Sequence, residues 1–310
     1  MKHPFRLAIV ISLVMLIPHS AFPQGERPSC KWLEKPVDDQ TFKTFQDFFA
    51  YDRHLPFKMQ SLAISESEGI RSEHLSFQST PGEQLFANLY RSAGADFKKI
   101  PALIFLHGGT AAGKDGLINL AETFARAGWA VLAIDMKYFG ERGTDLLTAF
   151  TESEKHDQLY NNPPLYLNWV IQTVKDVQRS FDFLVDEVGT DSSRIMLVGF
   201  SRGAVMGAIA GGIEHRLAAT ALLYGGHFDA LETGHLPAAC PANYIGRISP
   251  RPLLMVNATQ DTDFIREPSV LPLYGLAKPP KKIIWTEGGH GVLTDEARSQ
   301  IFEWLEEKVK

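Results

Sequence analysis

The chain has 310 residues, of which 45% are hydrophobic and 22% are charged, and its formal net charge is -5. This composition excludes a mainly disordered chain, because it supplies enough apolar surface for a sizeable core. The slight acidic excess argues against nucleic acid as the main partner, since phosphate binding needs a basic excess. The length fits one large α/β domain or two smaller ones.

The N-terminus has the pattern of a secretory signal peptide. Lys2 and Arg6 precede an apolar run over residues 7–17, and small residues follow it. We predict a signal peptide over residues 1–21, cleaved after Ala21, which leaves a secreted or periplasmic protein without stable membrane insertion. The run is shorter than the roughly 20 apolar residues of a transmembrane helix, and an uncleaved signal anchor is the alternative.

The chain contains two cysteines, Cys30 and Cys240. In an oxidising compartment they allow one disulfide, which would join the N-terminal segment to a loop late in the chain. Two unpaired thiols are the alternative. Two cysteines without clustered histidines give no zinc-type spacing, so we expect no metal site.

Residues 22–84 are predicted to form an N-terminal extension packed on the main domain. Phenylalanines recur at helical spacing over residues 39–51, which indicates an amphipathic helix. Residues 74–77 and 85–90 have the pattern of short strands, and the turn at 79–82 separates them.

From residue 101 onward, short apolar runs alternate with helical patterns. Strands are predicted at 102–106, 129–136, 194–198, 218–224, 253–256 and 283–285. Helices are predicted at 117–127, 165–188, 204–213 and 295–309. Continuous apolar strands that alternate with helices predict an α/β fold, with a mostly parallel sheet covered by helices on both faces.

Two long connections, 138–164 and 225–250, interrupt this alternation. Connections of this length are typical of lids or small inserted elements, and both should emerge at the carboxyl ends of strands, where open α/β sheets bind ligands. Aromatic side chains in and beside these connections either line a pocket suited to an aryl or sugar-bearing ester or pack the lids themselves: Tyr138, Phe139, Tyr160, Tyr166, Trp169, Tyr224 and Phe228.

The segment Gly199-Phe200-Ser201-Arg202-Gly203 lies between a predicted strand and a predicted helix. This is the pattern of a nucleophile elbow, in which a strained serine projects its hydroxyl above the sheet edge. The flanking glycines allow close approach of neighbouring backbone, and the helix N-terminus points at the negative charge that develops during acyl transfer. The pattern predicts Ser201 as the nucleophile.

A serine nucleophile needs a base, and the base needs an acid that orients it. His290 follows the last predicted strand, and Asp261 follows the strand before it. The order Ser201, Asp261, His290 is the serine, acid, histidine order of hydrolase-fold enzymes. Asp263 competes for the role of the acid, and Asp261 is preferred because it lies closer to the end of its strand.

Acyl transfer also needs N–H donors for the oxyanion of the tetrahedral intermediate. The backbone N–H of Arg202, next to the nucleophile, is one candidate. The other lies in the segment 107–110, where glycines expose backbone amides, and Gly109 is the first choice. The alternative for this segment is an ordinary glycine turn.

Together, the segments 107–109, 199–203 and 289–291, with Asp261, resemble the α/β-hydrolase superfamily. The resemblance covers about residues 85–308 and implies an α/β-hydrolase domain over 85–310 with lid-like insertions. The sequences of these motifs are similar to those of the esterase and prolyl-oligopeptidase-like branch of the superfamily, near the dienelactone-hydrolase-like proteins. Two departures stand out: dienelactone hydrolases proper use a cysteine nucleophile, and prolyl oligopeptidases proper carry a propeller, which needs more residues than precede this domain.

The segment 135–143 is similar to the loop after the fourth strand in that branch. Its charged residues Asp135, Glu141 and Arg142 either brace the site or form a structural turn.

These features predict an exported serine hydrolase that cleaves carboxylic esters of small molecules through an acyl-enzyme, without a cofactor. One alternative is a prolyl-oligopeptidase-like peptidase acting on short peptides, because amides and esters pass through the same kind of oxyanion. The other is a hydrolase-fold binding protein without catalysis, because a fold alone does not prove a function.

Overall fold

The computed structural model describes residues 30–144, 151–229, 231–232 and 234–309. The predicted signal peptide lies outside the described residues, as do short parts of both long connections. Within the described ranges, no helix has the length and apolar character needed to cross a membrane.

Nine strands of the described residues form one sheet, in the order β1-β2-β3-β5-β4-β6-β7-β8-β9. The strands are β1 (Gln60–Ser67), β2 (Ile70–Thr80), β3 (Glu83–Ser92), β4 (Ala102–Leu106), β5 (Ala130–Ile134), β6 (Ile195–Phe200), β7 (Thr220–Leu223), β8 (Leu253–Ala258) and β9 (Lys281–Thr286). The pairs β1–β2, β2–β3 and β3–β5 are antiparallel, and all other pairs are parallel. The predicted mostly parallel sheet is confirmed.

Helices within the described residues cover both faces of this sheet. They are α1 (Lys31–Glu34), α2 (Asp39–Gln46), α3 (Ile118–Arg126), α4 (Glu152–Lys155), α5 (Pro163–Phe183), α6 (Arg202–Ile213), α7 (Leu271–Leu276) and α8 (Asp295–Glu307). The side chain of Asn162 caps the N-terminus of α5, and that of Thr294 caps α8.

The alternation of side chains along β4 shows how the two faces are filled. Ile104 packs into a core with Trp169 of α5, whereas Phe105 packs into a second core with Phe124 of α3. Successive strand residues point to opposite faces, so a continuous apolar run requires cover on both sides. All residues of α6 are buried, which holds the helix rigidly behind the elbow.

The N-terminal region differs from prediction in its details. The predicted helix over 39–51 ends as α-helix at Gln46 and continues as a 3₁₀ turn over Asp47–Phe49. Strand β1 was not predicted, because it is exposed along its whole length and therefore has no alternation of apolar and polar residues. The boundary expected between residues 84 and 85 lies inside β3, which pairs with β2 on one side and β5 on the other.

The two long connections contain short helical elements rather than extended coil. The first holds α4 and a π-helical turn over His156–Tyr160. The second holds three 3₁₀ turns over Pro237–Ala239, Pro241–Asn243 and Ile245–Arg247. They leave the carboxyl ends of β5 and β7, at the same edge as the carboxyl ends of the other parallel strands.

Candidate active site

Ser201 forms the sharp turn between β6 and α6. Its backbone has φ 54° and ψ -117°, a conformation that non-glycine residues rarely adopt. Gly199 and Gly203 must lack side chains, because a Cβ on Gly199 would collide with the Gly203 carbonyl and one on Gly203 with the Leu106 carbonyl. The predicted elbow geometry is therefore present, with the serine at its apex.

The structure brings the three predicted triad residues together. His290 Nε2 lies 2.9 Å from Ser201 Oγ, and His290 Nδ1 lies 2.9 Å from Asp261 Oδ2. The second oxygen of Asp261 accepts the backbone N–H groups of Asp263, at 2.8 Å, and Phe264, at 3.0 Å. With Nδ1–H donating to the carboxylate, Nε2 is free to accept the serine proton, which is the tautomer that a general base needs.

Asp263, the competing acid, holds a different position. Its side chain is 55% exposed, and its Oδ2 lies 3.8 Å from His290 Nε2 rather than next to Nδ1. It therefore faces the reactive nitrogen from the solvent side and does not orient the ring.

The surroundings of His290 favour its protonated form. Burial alone would lower the pKa of its imidazole, but the hydrogen bond and charge of Asp261 raise that pKa above its ordinary value, and the charge of Asp263 adds to the increase. A histidine that holds a proton more strongly is a better acceptor of the serine proton, provided that the pH keeps it neutral beforehand.

Parallel strands bring the acid and the base to one edge of the sheet. Asp261 follows the end of β8, and His290 follows the end of β9 in a turn where Gly288 has φ +104°. The N–H of Gln260 donates to the Gly288 carbonyl at 3.0 Å, so the two turns are joined directly. This bond fixes the separation of Asp261 and His290.

The predicted oxyanion donors flank the nucleophile. Arg202 is the first residue of α6, so its backbone N–H has no partner within the helix. A Cβ built on Gly108 would lie 3.4 Å from the Ser201 Cβ, which shows how closely the glycine segment approaches the nucleophile. Among the described residues, the N–H of Gly109 has no hydrogen-bond acceptor.

His107 has a structural part in this segment that the sequence did not reveal. It is buried; its Nε2 accepts the Met136 N–H at 3.0 Å, and its Nδ1 donates to the Gly108 carbonyl at 2.5 Å. Burial lowers the pKa of His107, which keeps the ring neutral. The ring thus joins the glycine segment to the loop after β5.

The side chain of Arg202 lies in a buried cluster of charges that sequence reasoning missed. Its guanidinium donates to Glu232 Oε1 at 2.5 Å and to the carboxylate of Asp229, and it stacks 3.8 Å over the ring of Tyr160. Burial would raise the pKa of Glu232, yet the charge of Arg202 holds that pKa well below its usual range. The second long connection is thereby tied to the residue next to the nucleophile.

The segment after β5 is held by its own charges. Asp135 accepts the backbone N–H of Lys114 at 2.8 Å, the Lys114 ammonium at 3.0 Å and the Glu141 N–H at 3.0 Å. Arg142 pairs with Asp176 at 2.5 Å and also donates to the Asp135 carbonyl. These contacts build the turn itself, and they reach the site through the neighbouring Met136.

Four of the seven aromatic residues suggested as pocket lining pack against one another in the core that contains α5. Tyr160, Tyr166, Trp169 and Phe139 are buried, and their rings pack at centroid distances of 5.3–5.7 Å. Tyr224 packs beside the triad, with its ring centroid 6.2 Å from that of His290.

Comparisons with known proteins agree with this architecture. The sequence profile of the alpha/beta hydrolase fold matches residues 101–223. A search of curated proteins gives no match.

Three solved structures of esterases are similar to this chain. The acetyl xylan esterase from Paenibacillus sp. R4 has a TM-score of 0.69 and 17% identity, covering 89% of this chain and 98% of its own. Acetyl xylan esterase 1 from Thermoanaerobacterium sp. JW/SL YS485 has a TM-score of 0.64 and 18% identity, and the match covers 90% of this chain and 98% of the esterase. A cold-adapted esterase from an Arctic intertidal metagenomic library has a TM-score of 0.63 and 18% identity, and the match covers 80% of this chain and 98% of the esterase. The strand order, the elbow and these matches show that the chain is an α/β-hydrolase-fold protein.

Proposed function

We propose that the protein is a serine hydrolase that cleaves carboxylic esters of small molecules through an acyl-enzyme. The observation that carries the proposal is the continuous hydrogen-bonded line from Ser201 Oγ through the His290 ring to Asp261 Oδ2, with both links at 2.9 Å. A serine hydroxyl is a weak nucleophile at neutral pH and becomes effective only beside such a base.

In the first step, Ser201 Oγ attacks the ester carbonyl carbon while its proton passes to His290 Nε2. The imidazolium that forms is stabilised by the carboxylate of Asp261, which stays ionised. The raised pKa of His290 favours this transfer.

The carbonyl oxygen becomes an oxyanion that the N–H groups of Arg202 and Gly109 stabilise. Both groups belong to rigid backbone, one at the N-terminus of the fully buried helix α6 and the other in the glycine segment held by His107. Donors that are already in place need no reorganisation when the charge develops, and each contributes about 2.7–4 kcal/mol to lowering the barrier.

The intermediate then collapses, and His290 returns its proton to the departing alcohol, leaving Ser201 acylated. A water molecule, deprotonated by the same nitrogen, attacks the acyl carbon. The bond from that carbon to Ser201 Oγ then breaks, His290 returns the proton to Oγ, and the acid is released. Every proton in the cycle passes through His290 Nε2, and no cofactor is needed.

The esterase activity of the structural neighbours supports ester substrates at the level of bond type, and we propose an ester of a small molecule rather than a peptide. Export of the mature chain to the periplasm or the medium is proposed from the N-terminal pattern of residues 1–21.

A matched pair of chromogenic substrates tests the proposal: para-nitrophenyl acetate and para-nitroacetanilide, which share the acyl group and differ in the scissile bond. We expect hydrolysis of the ester, and loss of more than about 1,000-fold in kcat for Ser201→Ala. Ser65→Ala, an exposed serine on β1, serves as the control and should retain full activity. Faster cleavage of the anilide would favour a peptidase, and absence of turnover by the wild type would favour a binding protein.

A further inference from the structure

Cys30, Cys240 and His227 meet at a place that the proposed mechanism does not use. The two Sγ atoms lie 4.0 Å apart, and His227 Nε2 lies 3.0 Å from Cys240 Sγ. Cys240 and His227 are buried, whereas Cys30 is partly exposed at the start of α1. Both cysteines are unbonded in the structure.

Contacts that do not involve sulfur hold the two cysteines at this distance. The backbone N–H of Val37 donates to Asn243 Oδ1 at 3.0 Å, and the ring of Phe42 packs 5.5 Å from that of Tyr244. The N-terminal segment is therefore docked on the second long connection whether or not the cysteines are bonded.

We propose that Cys30 and Cys240 form a disulfide, with Cys30 reacting first and Cys240 completing the bond. Closing the sulfurs from 4.0 Å to the S–S distance of about 2.05 Å requires the two Sγ atoms to approach each other by about 2 Å. The link would join the N-terminal segment to the loop that carries Asp229 and Glu232, the partners of Arg202.

The oxidant is an external disulfide, either a dithiol–disulfide oxidoreductase or oxidised glutathione. The Cys30 thiolate attacks one sulfur of that disulfide, forming a mixed disulfide and releasing one thiol. Cys240 then gives its proton to His227 Nε2, attacks Cys30 Sγ and expels the second thiolate, which takes up the proton. The two cysteines lose two electrons and two protons, and the external disulfide is reduced to two thiols.

The order of events follows from access and acidity. A bulky oxidant can reach the partly exposed Cys30 but not Cys240, which is only 1% exposed. The hydrogen bond from Cys240 lowers the pKa of the Cys30 thiol, while burial raises the pKa of Cys240. The thiolate is the reactive form, so Cys30 is the entry point.

The same three side chains could instead bind a metal ion, but the geometry favours the disulfide. A tetrahedral zinc shared by Cys240 Sγ and His227 Nε2 would place these atoms about 3.6 Å apart. The observed 3.0 Å is a hydrogen-bond contact, and the cluster offers three ligands among the described residues, whereas structural zinc takes four.

Thiol titration and intact mass of the purified protein, incubated with oxidised glutathione, test the proposal. We expect the wild type to lose both reactive thiols and about 2 Da. Cys240→Ala should stop at a mixed disulfide between Cys30 and glutathione, which is about 305 Da heavier than the unreacted variant. Cys30→Ala should react far more slowly with glutathione, because its remaining thiol, that of Cys240, is buried. Two thiols that persist in the wild type, or one bound zinc protecting them, would overturn the proposal.

Thermal unfolding gives a second readout that does not depend on enzymatic activity. Reductant should lower the Tm of the oxidised wild type by roughly 5–10 °C, because the closed loop spans most of the chain. Reductant should leave the Tm of the Cys30→Ala/Cys240→Ala double variant unchanged. An equal fall in both proteins would contradict a stabilising disulfide.

Discussion

The guanidinium of Arg202 donates a 2.5 Å hydrogen bond to the carboxylate of Glu232, and both side chains are buried. Arg202 directly follows the nucleophile, so this pair connects the elbow to a loop thirty residues later in the chain. A buried charge that loses one of its partners is destabilising, because water does not reach it to replace the lost bond.

Glu232→Ala should therefore destabilise the fold by about 1–3 kcal/mol, less than the roughly 3–5 kcal/mol of a fully unpaired buried charge, because Arg202 keeps Asp229 as a partner. Chemical denaturation of the variant measures this loss. Glu66→Ala, on the exposed strand β1, is the control and should change the free energy of unfolding by less than about 0.5 kcal/mol. Equal stability of the two variants would show that Asp229 alone suffices to hold Arg202.

Neutralising the two acids near His290, Asp261 and Asp263, should affect catalytic activity to very different extents. Asp261→Asn should lower kcat by roughly 10,000-fold, because the amide oxygen stays with the backbone N–H groups of Asp263 and Phe264. The amide NH2 then faces His290 Nδ1 and selects the wrong tautomer. Asp263→Asn should keep most of the activity, because its carboxylate lies 3.8 Å from Nε2 and does not orient the ring. The reverse ranking in ester hydrolysis would assign the orienting role to Asp263.

Asp263 should nevertheless shift the pH dependence of the reaction. His290 must be neutral to accept the serine proton, so kcat/KM falls as the pH drops below its raised pKa. Removing the negative charge of Asp263 destabilises the imidazolium, so Asp263→Asn should move the acid limb to lower pH by about half a unit. Since the side chain is exposed, high salt should reduce the difference between the variant and the wild type. A shift to higher pH would contradict this account.

A side chain at Gly109 should disturb the proposed oxyanion donor. An added Cβ would lie 2.6 Å from the Tyr160 hydroxyl oxygen and 3.1 Å from Arg202 Cγ, so the backbone must move away. Gly109→Ala should lower kcat by 10-fold or more, in line with the roughly 100–1,000-fold effect of losing an oxyanion donor completely.

The double variant Gly109→Ala/Tyr160→Phe tests whether that clash is the cause. Removing the hydroxyl takes away the closer of the two obstacles, so kcat should recover in part relative to Gly109→Ala. Tyr160→Phe alone is the control for any effect of the hydroxyl itself. If kcat did not recover in the double variant, the clash with the Tyr160 hydroxyl would not be the cause of the lower activity of Gly109→Ala.

The part of the site formed by short motifs could be predicted from the sequence. Ser201 lies between an apolar strand and a helix, and Asp261 and His290 follow β8 and β9, so a parallel sheet must bring all three to one edge. Strand β6 and helix α6 carry strong local patterns, which is why their positions agree with the prediction within a few residues.

The contacts between distant loops could not be predicted in this way. Asp229 and Glu232 lie in a polar loop without periodicity, and nothing local indicates that both carboxylates turn inward to Arg202. The pairing depends on the tertiary position of the whole connection. The distance between Cys30 and Cys240 depends in the same way on how the N-terminal segment docks.

Labelling with a fluorophosphonate probe, followed by mass-spectrometric identification of the modified residue, tests the central claim most directly. An activated serine attacks phosphorus as it attacks an ester carbonyl, while ordinary serines do not react. We expect one label per molecule, on Ser201 in the wild type, and none in Ser201→Ala or His290→Ala. A wild type that stays unlabelled, or a label on another serine, would contradict the proposed mechanism.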